Sequence, residues 1–279
     1  TIAEVLYDAL EGIGNQPVTA MVTGSGGLAV SQWLDLPFTQ EVIACSRAIE
    51  TFVPGTDVAI ELGGEDAKIT FFYGGLDQRM NGTCAGGTGA FIDQMAALLQ
   101  TDAKGLDELA RRHRTIYPVA ARCGVFAKTD IQPLLNEGAS VEDIAASVFQ
   151  AVVNQTITGL ACGKTIKGRV VFLGGPLHFL PALRERFKET LGLSDEEAIF
   201  PPHSQIFVAM GAAIAARGEQ PRNLKELAAS LQGLNRVLPE EVQRLEPLFK
   251  DEHDYRRFKA RHERHRVPRR ELKGYRGRC

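Results

Sequence analysis

Apolar residues recur with helical spacing from the start of the chain, and residues 2–11 (IAEVLYDALE) predict an amphipathic helix stopped by Gly12 and Gly14. Residues 18–22 read as a short apolar strand running into Thr23-Gly24-Ser25-Gly26-Gly27, and residues 40–52 fit another helix before the Pro54-Gly55 break. From Asp57 the pattern becomes that of strands. Residues 58–62, 68–73 and 77–81, joined by Gly-Gly turns, predict a β-meander. After Gly82 the period returns to that of a helix, with Phe91, Met95, Leu98 and Leu99 on one face. Further helices are expected over 105–113, 124–137 and 141–162. Residues 169–173 predict a buried strand ending in Gly174-Gly175. A helix over 180–191, a strand near 198–200 and an Ala-rich helix over 205–217 complete the block. Strands with intervening helices place it in the α/β class.

Beyond Gly218 the chain turns polar and helix-prone, and its last thirty or so residues are dense in Arg, Lys and His. The bland reading of such a run, a solvated helix or linker, is preferred to a nucleic-acid patch. His253, His262 and His265 lie in it without carboxylate or thiolate company, which argues against a metal site there. The whole chain of 279 residues carries a formal net charge of −2, so nothing global draws it to nucleic acid or to a membrane surface. No uninterrupted apolar stretch approaches the roughly 20 residues that span a bilayer. The five cysteines (Cys45, Cys84, Cys123, Cys162, Cys279) are odd in number and widely scattered, which argues for reduced thiols in a cytoplasmic protein. The chain starts at Thr1 without an initiator Met, as a piece of something longer would.

Three segments carry candidate chemistry. In Glu61-Leu-Gly-Gly-Glu-Asp-Ala-Lys68 a strand delivers a carboxylate to its end and two glycines turn the backbone. Gly63 and Gly64 would let main-chain N–H groups approach a phosphate, with Lys68 nearby, while Glu61, Glu65 and Asp66 would hold magnesium or orient a water. A hairpin that simply needs glycines fits equally. Next, Cys84 heads a Gly-rich loop (Gly86, Gly87, Thr88, Gly89) that opens a helix, a setting that favours anions and lowers a thiol pKa. A small buried Cys in a tight turn is the alternative. Cys123 also stands just ahead of an expected helix, and the pair suggests a shared ligand set. Two thiolates cannot complete a four-iron cluster, whereas two from each of two subunits can. The Gly174-Gly175-Pro176 turn is either an approach to an adenosine or an ordinary strand-to-helix turn.

These pieces, in this order, resemble the ATPase activators of 2-hydroxyacyl-CoA dehydratases and the ATP-binding subunits of benzoyl-CoA reductase. Their phosphate motif, Asp-Ile-Gly-Gly-Gln-Asp-x-Lys, is similar to the stretch from Glu61 to Lys68, and their cluster motif, Asn-x-x-Cys-Ala-Ala-Gly-Thr-Gly-x-Phe, to that from Asn81 to Phe91. Their Cys-x-Val-Phe-Ala resembles the segment from Cys123 to Ala127, and their Pro-x-x-Gln the stretch ending at Gln205. A Thr-Glu-Ile-Thr-Ala segment looks like that from Gln40 to Ala44.

The resemblance covers roughly residues 1–217. It implies an actin/hexokinase-type ATPase with ribonuclease-H-like lobes: 1–56 as the remnant of an incomplete first lobe, 57–217 as the second, and 218–279 as a helical basic extension. It implies ATP or ADP with Mg, a 4Fe-4S cluster held by Cys84 and Cys123 of two subunits or sister domains, and a radical acyl-CoA dehydratase or reductase as electron acceptor. The family's Asp-x-Gly-Ser/Thr hairpin falls before Thr1, so negligible ATP hydrolysis is expected of this chain alone. Glu61 and Glu65 stand where the family has Asp and Gln, and Cys45 where it often has His. A non-catalytic tandem domain that scaffolds a cluster or partner, and a sugar- or acetate-kinase relative, are the competing readings.

Overall fold

A computed structural model describes residues 2–11, 15–82, 86–120, 122–231 and 246–267. Helix α1 (Ile2–Glu11) is followed by β1 (Pro17–Val18), α2 (Gly27–Leu34) and α3 (Glu41–Phe52). The strand expected over 18–22 is shorter, because Val22 leaves it to bridge Phe38 instead. Helix α2 was not anticipated. It begins within the glycine run, at Gly27, where an added Cβ would lie 2.9 Å from the Val22 side chain.

The meander forms as expected: β2 (Val58–Leu62), β3 (Ala67–Phe71) and β4 (Asp77–Met80) are antiparallel neighbours. Helices α4 (Gly89–Leu98), α5 (Ala103–Ala110), α6 (Gly124–Asn136) and α7 (Val141–Asn154) follow, α7 continuing as a π-helix over Gln155–Ala161. Strand β5 (Val170–Leu173) then pairs in parallel with β2. After α8 (Gly175–Phe179) and α9 (Pro181–Leu191), β6 (Ala198–Ile199) joins the far side of β5, giving the order β4-β3-β2-β5-β6. Helix α10 (Phe207–Ala215) returns towards the start of the chain.

Strand alternation assigns the two faces of this sheet. Val58, Ile60, Ile69, Phe71 and Phe172 join the larger core with α4, α7 and α9, while Ala59, Val171 and Leu173 pack with α3 and Phe207 of α10. Helix α7 with its π-turn is long and apolar enough to cross a membrane, but it is the central core helix, and Ile144, Val148, Phe149 and Val152 are wholly buried. Arg79 on β4 ties its end down by donating to the carbonyl of Ala161.

The boundary expected at 217/218 differs from what forms. β7 (Arg222–Asn223) pairs antiparallel with β1, and α11 (Leu224–Leu231) buries Leu224, Leu227 and Leu231 against Leu34, Leu6, Tyr7 and Leu10. Apolar spacing at i, i+3 and i+7 on α11 is what drives this return. The chain divides into two compact units, 1–234 and 235–279. In the second, α12 (Glu252–Glu263) is capped by the Asp251 carboxylate, which accepts from the Asp254 N–H at 2.8 Å. It has no buried residue, and the Phe249 ring, just before it, lies 5.3 Å from Tyr255 and 5.1 Å from Phe258.

Candidate functional site

The β2–β3 turn closes through a 2.7 Å bond from the Gly63 N–H to the Asp66 carbonyl. Its own carbonyls then face α4: Gly89 N–H donates to Gly63 O at 2.9 Å and Ala90 N–H to Gly64 O at 2.7 Å. Two amides expected to await an anion at the start of α4 are therefore taken by the turn, and Gly89 is needed because an added Cβ would lie 3.2 Å from Gly63 O. Gly174 is held in the left-handed region (φ 93°), where a Cβ would sit 2.0 Å from Leu62 O. Its N–H donates to Ser204 O at 3.0 Å. These contacts bring the two glycine turns together.

Between them lies a cavity of about 500 Å³, within the usual size of a small-ligand site. Gly64 and Glu65 from the hairpin, Gly89 and Asp93 from α4, and Gly175 and Phe179 from the β5–α8 turn line it. Ile92 and Leu180 make it largely apolar. Phe179, one of the lining residues, is 67% exposed. All of the lining comes from residues 64–180. Glu61, Gly63, Asp66, Lys68, Gly174 and Gln205 are not among the lining residues; Asp66 stands exposed on the turn.

Glu61 faces the other side of the sheet. It is the cross-strand partner of Lys68, and the ammonium lies 3.5 Å from its carboxylate. Lys68 also donates to Glu41 at the start of α3. Burial pushes the Glu61 carboxyl above its usual range even though Lys68 opposes this, and the Cys45 thiol hydrogen-bonds to it. Burial, followed by the Glu61 charge, drives the Cys45 thiol far above the ordinary range, which favours its protonated form. Burial works against the Lys68 charge, but Glu61 and then Glu41 outweigh it and hold the ammonium above its usual range. Lys68 is thus engaged by carboxylates.

Cys84 lies outside the described residues. Gly86, Gly87 and Thr88, just after it, are buried. Gly87 has φ 81°, and a Cβ there would meet the Gln155 side chain of the π-helix at 3.1 Å. Cys123 is the N-cap residue of α6, in extended backbone and half-buried. The next residue, Gly124, fits against Gln94 of α4, where a Cβ would lie 2.9 Å from Oε1. Val125 and Phe126, on the first turn of α6, are 70% and 63% exposed. No group of three or more potential metal ligands occurs among the described residues.

Two buried side-chain oxygens among the described residues lack a hydrogen-bond partner, Thr23 Oγ1 and Gln205 Oε1. Such atoms are uncommon and mark places where a polar ligand or water is accommodated. Sequence reasoning assigned no role to Glu41, Asp93 or Phe179. Only Glu41 stood in a segment already singled out, that from Gln40 to Ala44.

The fold is that of the actin-like ATPases. The chain belongs to the BadF/BadG/BcrA/BcrD ATPase family, whose model matches residues 1–216. It is 29% identical over 211 residues to the 2-hydroxyisocaproyl-CoA dehydratase activator of Clostridioides difficile, covering 74% of this chain and 76% of that protein. It is 29% identical over 219 residues to the (R)-2-hydroxyglutaryl-CoA dehydratase activating ATPase of Acidaminococcus fermentans, covering 77% and 81%. Among solved structures, (R)-2-hydroxyglutaryl-CoA dehydratase component A of Acidaminococcus fermentans superposes with a TM-score of 0.63 at 27% identity, covering 75% of this chain and 76% of that one. The activator of the 2-hydroxyisocaproyl-CoA dehydratase from Clostridium difficile with bound ADPNP gives 0.61 at 25% identity, covering 80% and 78%.

Proposed function

We propose that this chain is the ATP-dependent, cluster-bearing activator of a 2-hydroxyacyl-CoA dehydratase or benzoyl-CoA reductase-type enzyme. The observation that carries the nucleotide half is a cavity onto which both glycine turns open. Its apolar wall and exposed Phe179 suit a purine, and Asp93 and Glu65 suit ribose hydroxyls or a hydrated magnesium ion. Glu65 and Asp66 sit on the turn that a phosphate chain would pass. Glu61, turned towards Lys68, acts on this site only through the hairpin it belongs to.

For the electron-transfer half, Cys84 and Cys123 supply the thiolates. As a donor set they fit a 4Fe-4S cluster as half of what it needs, so the other two thiolates come from a second copy or a sister domain. The exposed Val125 and Phe126 beside Cys123 provide apolar surface for that association. When bound, the cluster supplies one-electron transfer at low potential. The protein's part is to hold Cys123 at the start of α6, packed on α4, which shares its first turn with the nucleotide cavity. Movement of the hairpin is thereby coupled to the cysteine-bearing segment.

The test is anaerobic reconstitution with iron and sulfide, followed by visible spectroscopy and iron analysis. About two irons per chain are expected if a four-iron cluster is shared. Cys84→Ser and Cys123→Ser should each abolish the colour, and Cys162→Ser should keep it. Colour that survives either of the first two replacements overturns the cluster assignment, and absence of any ATP or ADP binding overturns the nucleotide half. The non-catalytic reading has one observation in its favour, the engagement of Glu61 by Lys68 and Cys45. Nucleotide binding without turnover, under conditions where the cluster is intact, would support it.

A further inference from the structure

The nucleotide reading leaves one group unused, the cluster of Glu41, Lys68 and Glu61. Their side chains are 30%, 11% and 17% exposed, and two carboxylates share one ammonium. They come from three elements, α3, β3 and β2. Glu41 also closes on the glycine loop, since a Cβ built on Gly24 would lie 3.5 Å from Glu41 Oε1. Glu61 and Lys68 flank the Gly63-Gly64 turn on its two strands, and that turn grips α4 through Gly89 and Ala90.

We propose that Glu41 is a positioning residue for the nucleotide site: by pinning Lys68 from α3, it fixes the β2–β3 hairpin, and with it one wall of the cavity, relative to the 23–27 loop. The proposal rests on the nucleotide reading above. A partly buried ion pair resists separation because removing one member strands the other charge. Without Glu41, the ammonium keeps Glu61, on the neighbouring strand of the same hairpin, and loses its tie to the start of α3. The Gly63–Asp66 turn would then shift relative to α3. The amides of Gly89 and Ala90 would then lose their acceptors, and the cavity would change shape without loss of any residue that lines it.

The experiment compares the full chain with its Glu41→Gln and Glu41→Asp variants, at a temperature where all are folded. ATP and ADP dissociation constants are measured by calorimetry and backbone exchange at Gly89 and Ala90 by hydrogen–deuterium exchange. Glu41→Gln should weaken ATP binding about tenfold, in the range of couplings between neighbouring charged groups, and should speed exchange at both amides. Glu41→Asp should restore most of each. A general loss of packing would lower the melting temperature without confining faster exchange to these amides. Parental affinity together with parental exchange in Glu41→Gln overturns the proposal. If the parent itself binds neither nucleotide, the nucleotide reading fails, and the exchange arm alone decides whether Glu41 holds the hairpin. Should Glu41→Gln not fold, Lys68→Gln removes the ammonium that Glu41 pins. Faster exchange at Gly89 and Ala90 in that variant supports the proposal, and unchanged exchange overturns it.

Discussion

Gly174 and Gly175 are adjacent in sequence and opposite in role. A methyl at position 174 would combine a left-handed backbone with a near-overlap on Leu62 O. Gly174→Ala should therefore cost roughly 3 kcal/mol of stability, read from chemical denaturation. A methyl at Gly175 meets nothing within 4 Å. Gly175→Ala should leave stability within about 0.5 kcal/mol while altering nucleotide affinity, because residue 175 lines the cavity. Equal stability losses in the two variants would show that the turns are not divided in this way. The glycine pairs were legible in the sequence; the division of labour within a pair was not, since it depends on which carbonyl of β2 lies beneath. Glu61 makes the same point. Alternation along β2 places it with Ala59, but only tertiary packing decides that this face meets α3 and Lys68 instead of the cavity.

At the level of elements, the connection that leads to Cys123 is anchored on the first turns of α7. The Asp143 carboxylate accepts from the N–H of Arg114 at 2.6 Å and of Thr115 at 2.9 Å, and the Ser147 hydroxyl accepts from Tyr117 N–H at 2.8 Å. The two backbone donors hold the Asp143 carboxyl below its usual range. Its contribution is therefore present above the unfolded-state value of about 3.9 and is lost as pH falls through the lower folded value. Asp143→Asn should lower the melting temperature near neutrality, with the gap to the parent narrowing as the pH falls below the unfolded-state value. A gap independent of pH across that range would show that the carboxylate charge contributes nothing. Elements with a long, clean period were readable, including α3, α4, α7 and the meander. Helix α2 was hidden because its eight residues start inside a glycine run. The five-residue α8 was hidden because Gly175-Pro176 reads as a turn, and the π-helix because its apolar pattern continues that of α7.

On the scale of the whole molecule, the family match ends at residue 216 while the first compact unit runs on to 234. The difference is β7 and α11. Composition marked a polar, helix-prone stretch after Gly218, and that was correct for α12, whose residues are not buried. It concealed Leu224, Leu227 and Leu231, which are 4%, 2% and 4% exposed in a cluster with Leu34. An average over a basic segment does not register three leucines on one face. Helix α11 therefore belongs energetically with α1 and α2, where it closes the part of the fold that precedes the Pro54-Gly55 break. Leu227→Ala should cost about 3 kcal/mol, the usual range for emptying a buried leucine site. A chain ending at residue 234 should keep the thermal stability of the 279-residue chain, because 1–234 is a compact unit by itself. A chain ending at 217 should lose on the order of 5 kcal/mol through exposure of the facing leucines, and should bind a hydrophobic dye. Melting curves and dye fluorescence for the three lengths decide the matter: if the 217-residue chain matches the 234-residue chain, α11 is an ornament on the fold and not part of it.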